Sequence, residues 1–238
     1  MPATSSLDRI VIAIDGPSGS GKSTVSRRVA TRLGLGYLDT GATYRAVACA
    51  ALDRGLDLED AAAITALAHR AVIEQSPDPE VDVVVIDGVD VTRAIREPRV
   101  SAVVSKVAGN LDVRAELVRR QREVAARGRV VIEGRDITTV VAPDAPVRIL
   151  LTADEQARLA RRARELHGTA DAAAIAATHD SIVRRDADDS KVASFLTAAE
   201  GVVEVDTSAL GLDEVVAAVL SVVADRVPAA ADLLERTP

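Results

Sequence analysis

Residues 16–23 have the sequence GPSGSGKS and fit the phosphate-loop pattern G-x-x-x-x-G-K-[ST]. Glycines let consecutive backbone N–H groups turn toward one anion, and the lysine of this pattern reaches the terminal phosphates. The hydroxyl at the last position is suited to Mg²⁺, which accompanies ATP as a co-substrate. We therefore predict Ser23 as the metal ligand. The predicted ATP-binding loop consists of Gly16, Pro17, Ser18, Gly19, Ser20, Gly21, Lys22, Ser23 and Thr24.

The neighbouring sequence supplies the context that this pattern requires, a strand before it and a helix after it. Residues 10–14 are a short β-branched run, which is typical of a buried strand. Residues 23–33 carry Val25, Val29 and Leu33 on one helical face, and Gly34 ends the helix. A glycine-rich turn that matches by chance lacks these neighbours.

Two further polar clusters follow predicted strands. Residues 39–45 (DTGATYR) include Arg45, which could clamp a phosphate or could face solvent at a capped helix start. Residues 133–136 (EGRD) follow the strand at 130–132, at the edge of a parallel sheet where ligands bind. Arg135 and Asp136 could serve a phosphate and a base or ribose, or form a structural ion pair.

Other charged segments have two interpretations each. Arg158, Arg161 and Arg162 lie on a helix that could close over ATP as a lid and neutralise the transferring phosphoryl group, or could be an exposed basic helix. Residues 185–191 (RDADDSK) could bind ribose hydroxyls or form a polar loop. We interpret Arg119, Arg120 and Arg122 as a solvated helix face.

The composition excludes several classes of protein. The net charge is −7 and the only aromatic residues are Tyr37, Tyr44 and Phe195, so we expect no nucleic-acid polymer as partner. No apolar stretch reaches the length of a membrane span, and the first residues do not resemble a signal peptide. Cys49 is the only cysteine, which precludes an intrachain disulfide. We expect a cytoplasmic protein without membrane contacts.

The elements that must position these residues alternate along the chain. Strands predicted at 10–14, 130–132, 147–151 and 202–205 are separated by helices, the last of them at 154–167, 171–186 and 211–226. This order predicts an α/β fold with a parallel sheet and helices on both faces. Further helices are predicted at 42–54, 57–73, 97–108 and 112–127. A hairpin at 81–91, with Asp87-Gly88 as its turn, interrupts the pattern as an insertion.

The chain resembles bacterial cytidylate kinases, a nucleoside monophosphate kinase branch of the P-loop NTPases, over about residues 9–226. The resemblance rests on IDGPSGSGKST, LDTGATYRAVA, the IDGVDVT…IR…V segment, VRAELVRRQR, IEGRDITTVVAPDAPV and RRDADDS, in this order. It implies a single P-loop kinase domain over 1–238, with a monophosphate-binding insert at about 62–104, a short lid at about 161–172 and a loose tail at 228–238. The implied reaction converts ATP and CMP or dCMP into ADP and CDP or dCDP.

The resemblance also implies roles for individual residues. Catalytic roles fall on Lys22, Arg135 and Arg162, and further ATP contacts on Arg158 and Arg161. The monophosphate contacts fall on Thr40, Tyr44, Arg45, Ser105, Arg114, Arg135, Asp136, Arg185 and Asp189. Among these, the implied readers of the cytosine edge are Ser105, Arg114 and Asp136. We expect a monomer whose partners are the small nucleotides ATP, CMP and dCMP.

Two positions depart from the family pattern. Val192 stands where an arginine is common, and we expect the adjacent Lys191 to substitute for it imperfectly, since an ammonium lacks the guanidinium fork. Thr40 stands where serine is common and keeps the hydroxyl. Two alternatives remain: a P-loop kinase of another small acceptor such as shikimate or gluconate, which the hairpin insertion disfavours, and a nucleotide-switch protein, whose Asn-Lys-x-Asp string the sequence lacks.

Overall fold

The computed structural model describes residues 9–190 and 192–230, except for the side chains of residues 180, 181 and 183–185. In chain order the strands and helices are β1 (Val11–Asp15), α1 (Lys22–Leu33), β2 (Gly36–Asp39), α2 (Thr40–Asp53), α3 (Ala61–Arg70), β3 (Ile73–Gln75), β4 (Val84–Ile86), β5 (Val89–Asp90), α4 (Pro98–Ser101), α5 (Val104–Gly109), α6 (Leu111–Arg127), β6 (Val130–Gly134), β7 (Val147–Thr152), α7 (Glu155–His167), α8 (Ala172–Asp189), β8 (Val203–Asp206) and α9 (Leu212–Arg226).

A five-stranded parallel sheet in the order β2-β6-β1-β7-β8 forms the centre of the molecule. Because side chains alternate along a strand, Ile12 and Ile14 of β1 pack with α1 and α9, while Val11 and Ala13 lie in a second cluster with β6 and Val118 of α6. Both faces of the sheet are therefore covered, as the sequence predicts. Strands β1, β2 and β6 end side by side, with Asp39 and Asp15 in register with Glu133 and Gly134.

A small antiparallel sheet, β3-β4-β5, lies apart from the central sheet. Its hairpin turn has positive φ at both central residues, 50° at Asp87 and 79° at Gly88, which matches the twist of antiparallel strands. The Asp87 side chain accepts from the Val72 N–H at 2.8 Å and pairs with Arg54 at 2.5 Å. The predicted hairpin is confirmed, although β4 begins at Val84 and strand β3 was not predicted.

The helices differ from the sequence expectation in two regions. The helix predicted over 57–73 is shorter, Ala61–Arg70, and Ile73 begins strand β3 instead. The single helix predicted over 97–108 is wrong, because a 3₁₀ turn at Ala94–Arg96 and two short helices, α4 and α5, replace it. Pro98 stands in the first turn of α4, where proline is tolerated, and it separates this helix from the 3₁₀ turn before it. The break at residues 102–103 contains no proline or glycine. Of the predicted tail, Pro228–Ala230 form a 3₁₀ turn with Ala230 buried, and the remainder lies outside the described residues.

No helix within the described ranges is both long and apolar enough to cross a bilayer.

Candidate active site

The phosphate loop joins the end of β1 to the first turn of α1. Gly19 and Gly21 have φ of 77° and 86°, a backbone conformation that favours glycine. A Cβ on Gly19 would lie 2.6 Å from the Arg158 carbonyl oxygen, and one on Gly16 would lie 2.5 Å from that of Leu151. The loop therefore packs tightly against β7 and α7. Gly21 caps α1 without a side chain, which leaves the helix amides for an anion.

A buried carboxylate lies beneath the serine of the loop. Ser23 Oγ donates to Glu133 Oε1 at 2.6 Å, and the Tyr37 hydroxyl donates to the same oxygen at 3.1 Å. Burial and then the charge of Asp39 raise the pKa of Glu133, while Lys22 lowers it. The Lys22 ammonium in turn lies 3.4 Å from the Pro17 carbonyl oxygen. A hydroxyl, a carboxylate and an ammonium thus meet at the start of α1.

Two cavities border the phosphate loop. The first lies over the loop and is lined by residues 18–25 together with Arg161 and Arg162, among others. The second has Glu133 in its lining. Its lining consists of Ser18, Lys22, Ser23, Asp39, Thr40, Gly41, Tyr44, Arg45, Val104, Ala108, Arg114, Glu133, Gly134, Arg135, Asp136, Asp189, Val192 and Ala193. Arg114 pairs with Asp136 through Oδ2, and the two side chains are only 14% and 7% exposed. Burial raises the pKa of Asp136, and Arg114 opposes that rise. The Tyr44 hydroxyl is buried and has no hydrogen-bond partner among the described residues. Unpaired buried polar atoms in a cavity indicate a ligand.

Arg135 lies between the phosphate loop and this second cavity. Its Nη1 is 2.9 Å from Asp186 Oδ1 and its Nε is 2.8 Å from Asp189 Oδ2. The face of its guanidinium lies 4.6 Å from the centroid of the Phe195 ring. Asp189 also accepts from Ser105 Oγ at 3.2 Å. Arg135 thus connects the phosphate-loop side of the site to Ser105 of α5 through the Asp189 carboxylate.

The turn after Asp136 is fixed by a carboxylate at the end of β1. Asp15 Oδ1 accepts from the Ile137 N–H at 2.9 Å, and Oδ2 accepts from the Thr138 N–H at 2.8 Å and from Thr138 Oγ1 at 2.6 Å. Burial raises the pKa of Asp15 to about 6, while the bonds from Thr138 and Ile137 lower it. Asp15 therefore holds the backbone that carries Arg135 and Asp136.

Three features suit a kinase of a small nucleotide: the phosphate loop, the Ser23–Glu133 pair and the cavity that contains the Arg114–Asp136 pair. A family model shows which kinase family this is. The model for cytidylate kinase matches residues 12–225. This chain belongs to the cytidylate kinase family.

Curated cytidylate kinases are similar over nearly the whole chain. The cytidylate kinase of Cutibacterium acnes is 53% identical over 223 residues, which make up 92% of this chain and 97% of that protein. Those of Streptomyces avermitilis and Bacillus pumilus are 42% and 44% identical, over 94% and 92% of this chain and 96% and 97% of their own. Cytidylate kinases are ATP-dependent nucleoside monophosphate kinases, and the resemblance recognised in the sequence is confirmed.

The structure brings most of the predicted cytidylate kinase residues together. Those that line the second cavity are Thr40, Tyr44, Arg45, Arg114, Arg135, Asp136 and Asp189, and Ser105 reaches it through Asp189. Arg45 lies 4.0 Å from Asp39 and lines both cavities. The side chain of Arg185 and all of Lys191 lie outside the described residues, whereas Val192 lines the second cavity.

The three arginines of α7 that were predicted to bind ATP make different contacts. Arg158 reaches the phosphate loop, since its Nη1 donates to the Ser18 carbonyl oxygen at 3.1 Å. Arg161 donates to Thr207 Oγ1 at 2.8 Å and to backbone carbonyls of Thr207 and Leu210. Arg162 pairs with Glu165 at 2.5 Å. Arg161 and Arg162 both line the cavity over the phosphate loop, so their roles with ATP stay predictions.

The interpretation of one arginine run as a solvated face is wrong for one of its members, Arg120. Arg120 donates to the carbonyl oxygens of Ala71 at 2.7 Å and Ala68 at 2.9 Å, and so caps the end of α3. Arg122 donates to the Val140 carbonyl oxygen at 2.8 Å. Arg119, with 55% of its side chain exposed, fits the expectation, and so does Arg122, which is exposed as well.

Sequence reasoning assigned no role to Glu133, Asp15 or Phe195, and it considered Asp186 only as one of the acidic residues of 185–191 that could bind ribose, not as a partner of Arg135 and Arg158. The first two carried a usable signal, because each is a carboxylate at the carboxyl end of a parallel strand, where ligands bind. Asp186 and Phe195 carried none, because their contacts join distant parts of the chain.

Proposed function

We propose that this chain transfers the γ-phosphoryl group of ATP to CMP or dCMP in the space between the phosphate loop and the Arg114–Asp136 pair. The observation that carries the proposal is the position of Arg135. Its Nη2 lies 3.4 Å from Ser18 Oγ of the loop, and Arg135 also lines the second cavity, where we place the acceptor. A phosphoryl group that passes from one side to the other passes beside this guanidinium.

On the ATP side, backbone amides of residues 16–24 and the dipole of α1 bind the phosphates, and Lys22 neutralises the terminal ones. The pair formed by Ser23 and Glu133 fits Mg²⁺, because a hydroxyl and a carboxylate are hard oxygen donors. Ser23 and Glu133 would hold the metal, and magnesium there would supply positive charge that neutralises the phosphates. Glu133 accepts a hydrogen bond from the Ser23 hydroxyl, which leaves a lone pair of the serine oxygen facing away from Glu133.

On the acceptor side, Asp136 provides an oxygen for the exocyclic amino group that distinguishes cytosine from uracil. Arg114 pairs with that carboxylate and presents donors of its own. Arg45 and Arg135 bind the acceptor phosphate bidentately, and Asp189 with Ser105 contacts the nucleoside. Arg185 is proposed to contribute here as well.

The reaction needs positioning and charge neutralisation more than a covalent catalyst. An oxygen of the acceptor phosphate attacks the γ-phosphorus while the bond to the β-phosphate oxygen breaks. The acceptor is already anionic, so no general base is needed. Arg135 and Arg162, together with Arg158 and Arg161, are proposed to stabilise the charge of the transferring group.

We further propose that residues 62–104 form a monophosphate-binding insert and residues 161–172 a lid, both within one domain spanning 1–238. The insert proposal is supported by the separate cluster that β4, α4 and α5 form with α2. We expect a monomer that acts in the cytoplasm on small nucleotides and does not bind nucleic-acid polymers. Light scattering would report a single-chain mass if the monomer proposal is correct.

A coupled assay that records ADP formation tests the proposed function. ATP would be supplied with CMP, dCMP, UMP, AMP, shikimate and gluconate in turn. We expect kcat/KM for CMP or dCMP to exceed that for UMP by up to ~10⁴, because Asp136 would face a carbonyl instead of an amino group. Turnover of shikimate or gluconate without turnover of CMP would refute the proposal.

A further inference from the structure

One carboxylate on α8 receives groups from three other parts of the chain. Asp186 Oδ1 accepts from the Ser18 N–H at 3.2 Å and pairs with Arg135 Nη1 at 2.9 Å. Asp186 Oδ2 pairs with Arg158 Nη1. The phosphate loop, the end of β6 and helix α7 therefore meet at a single side chain.

The two arginines at this point also contact the same loop residue. Arg158 Nη1 donates to the Ser18 carbonyl oxygen at 3.1 Å, and Arg135 Nη2 donates to Ser18 Oγ at 3.4 Å. Ser18 is thus bound through its amide, its carbonyl and its hydroxyl. Because Ser18 belongs to the predicted triphosphate loop, both guanidinium groups are held beside the bound phosphates.

The charges at this cluster are withdrawn from solvent. The side chains of Asp186, Arg135 and Arg158 are 9%, 13% and 12% exposed. Burial raises the pKa of Asp186, but Arg135, the Ser18 amide and Arg158 together leave it below its ordinary value. An ionised Asp186 between two guanidinium groups offsets their mutual repulsion, and Asp189, which pairs with Arg135 through Nε, offsets the charge of Arg135 as well.

We propose that Asp186 is a positioning residue for phosphoryl transfer, which holds Arg135 and Arg158 together beside the phosphate loop so that both guanidinium groups stabilise the transferring group. The inference rests on the proposed function. Asp186 itself touches no reacting atom in this account and acts through the two arginines.

Two other roles for Asp186 predict different kinetics. A purely structural ion pair would lower the melting temperature and leave kcat unchanged per folded enzyme. A carboxylate that competes with ATP phosphates for the same donors would lower KM for ATP when its charge is removed. A positioning residue affects kcat, because the arginines act on charge that develops in the transition state.

The test compares Asp186→Asn with Asp188→Asn, a matched change on the same helix at a residue that lines neither cavity. For Asp186→Asn we expect kcat to fall about 10- to 100-fold, with both KM values changing less than about threefold, since a small misplacement of catalytic groups costs up to ~10². Asp188→Asn should keep kcat. Unchanged kcat in Asp186→Asn, with or without a lower KM for ATP, would overturn the inference.

A double mutant shows whether Asp186 acts through Arg158. If it does, Asp186→Asn should lower kcat by a smaller factor when Arg158→Gln is present than it does alone, because only the effect through Arg135 then remains. Multiplying effects would indicate independent roles and contradict the inference.

A binding measurement keeps this inference separate from the proposed function. Calorimetry would compare ADP with Mg²⁺ alone against the same mixture with CMP and aluminium fluoride, a mimic of the planar phosphoryl group. Asp186→Asn should weaken only the second complex, by about tenfold or more. If the wild-type protein fails to turn over CMP, the proposed function is wrong. If it turns over CMP and the variant binds the mimic normally, only the role of Asp186 is wrong.

Discussion

Ser23 Oγ lies 2.6 Å from Glu133 Oε1, so the last residue of the phosphate loop is tied to the end of the neighbouring strand in the sheet. The contact joins residues 110 positions apart and depends on β1 and β6 being adjacent and in register. It also places a buried carboxylate beside the hydroxyl that we propose as a magnesium ligand.

Replacing Glu133 with Gln should weaken magnesium binding. The amide keeps the size of the side chain but removes its charge, and loss of an outer-shell partner typically lowers metal affinity 10–100-fold. We expect the Mg²⁺ concentration for half-maximal rate, measured at saturating ATP and CMP, to rise by about that factor. Glu204→Gln, at an exposed position on β8, is the control. An unchanged Mg²⁺ dependence would remove Glu133 from the metal site.

Lys22→Ala should abolish most turnover. Lys22 is the lysine of the phosphate-loop pattern, and removing one such electrostatic contact typically lowers kcat by about 10²–10³. Lys106→Ala is a matched control, because Lys106 is exposed and pairs with Glu59 on the surface. Steady-state kinetics on folded protein decide the matter. Near-normal kcat in Lys22→Ala would rule out this mechanism.

Asp136→Asn should reduce the preference for CMP over UMP. The new amide can donate to the uracil carbonyl, whereas the carboxylate cannot, and Arg114 loses its ionised partner. We expect the CMP/UMP ratio of kcat/KM to fall by about 10²–10³, mainly through lower activity with CMP. UMP serves as the internal control. A ratio equal to that of the wild type would place base recognition elsewhere.

Much of the fold was predictable because the central sheet follows local rules. A few consecutive residues suffice to recognise the β-branched runs of β1, β6 and β7 and the Asp87-Gly88 turn. Strand β3 was missed because it has only three residues and depends on pairing with β4. The helix over 97–108 was predicted as continuous because its interruption at residues 102–103 contains no proline or glycine that would signal it.

The site was predictable in its residues but not in its contacts. Lys22, Arg135 and Asp136 stand in recognisable strings, so their types and their location at strand ends could be inferred. That Asp186 binds Arg135 and Arg158 depends on how α8 packs, and no short-range pattern encodes it. Whether Lys191 replaces the family arginine at Val192 stays a prediction.

The buried carboxylate of Asp15 should make stability depend on pH. Burial raises its pKa from 3.8 to about 6, so the folded protein binds a proton more tightly than the unfolded chain. The stabilisation from that proton is complete below about pH 4 and is lost as pH rises through about 6. A shift of about two units corresponds to about 3 kcal/mol in unfolding free energy.

Denaturant unfolding of the wild type and Asp15→Asn at pH 4 to 7 measures this effect. The difference in unfolding free energy, wild type minus variant, should be more positive at pH 4 than at pH 7, because only the wild type has the titrating group. Asp213→Asn, at an exposed position paired with Arg28, should show no such trend. A pH-independent difference for Asp15→Asn would show that the carboxyl group titrates alike in both states.

The ring of Phe195 should contribute to catalysis through Arg135. Phe195 is the only phenylalanine in the chain, is 1% exposed, and lies 4.6 Å from the Arg135 guanidinium. The Arg135 side chain is only 13% exposed, and a desolvated cation–π contact contributes up to about 2 kcal/mol. Phe195→Leu keeps an apolar side chain but removes the π face, so Arg135 gains freedom to leave its position.

For Phe195→Leu we expect kcat to fall about 5- to 30-fold, the equivalent of about 1–2 kcal/mol in the activation barrier, together with a lower melting temperature. Ile64→Val, in the core beside α2, is the control, since it lowers stability by about 0.5–1.5 kcal/mol without contacting Arg135. Rates would be measured well below both melting temperatures. If both variants lose stability and both keep wild-type kcat, the ring only fills space. If only Phe195→Leu loses kcat, the ring holds the arginine in place.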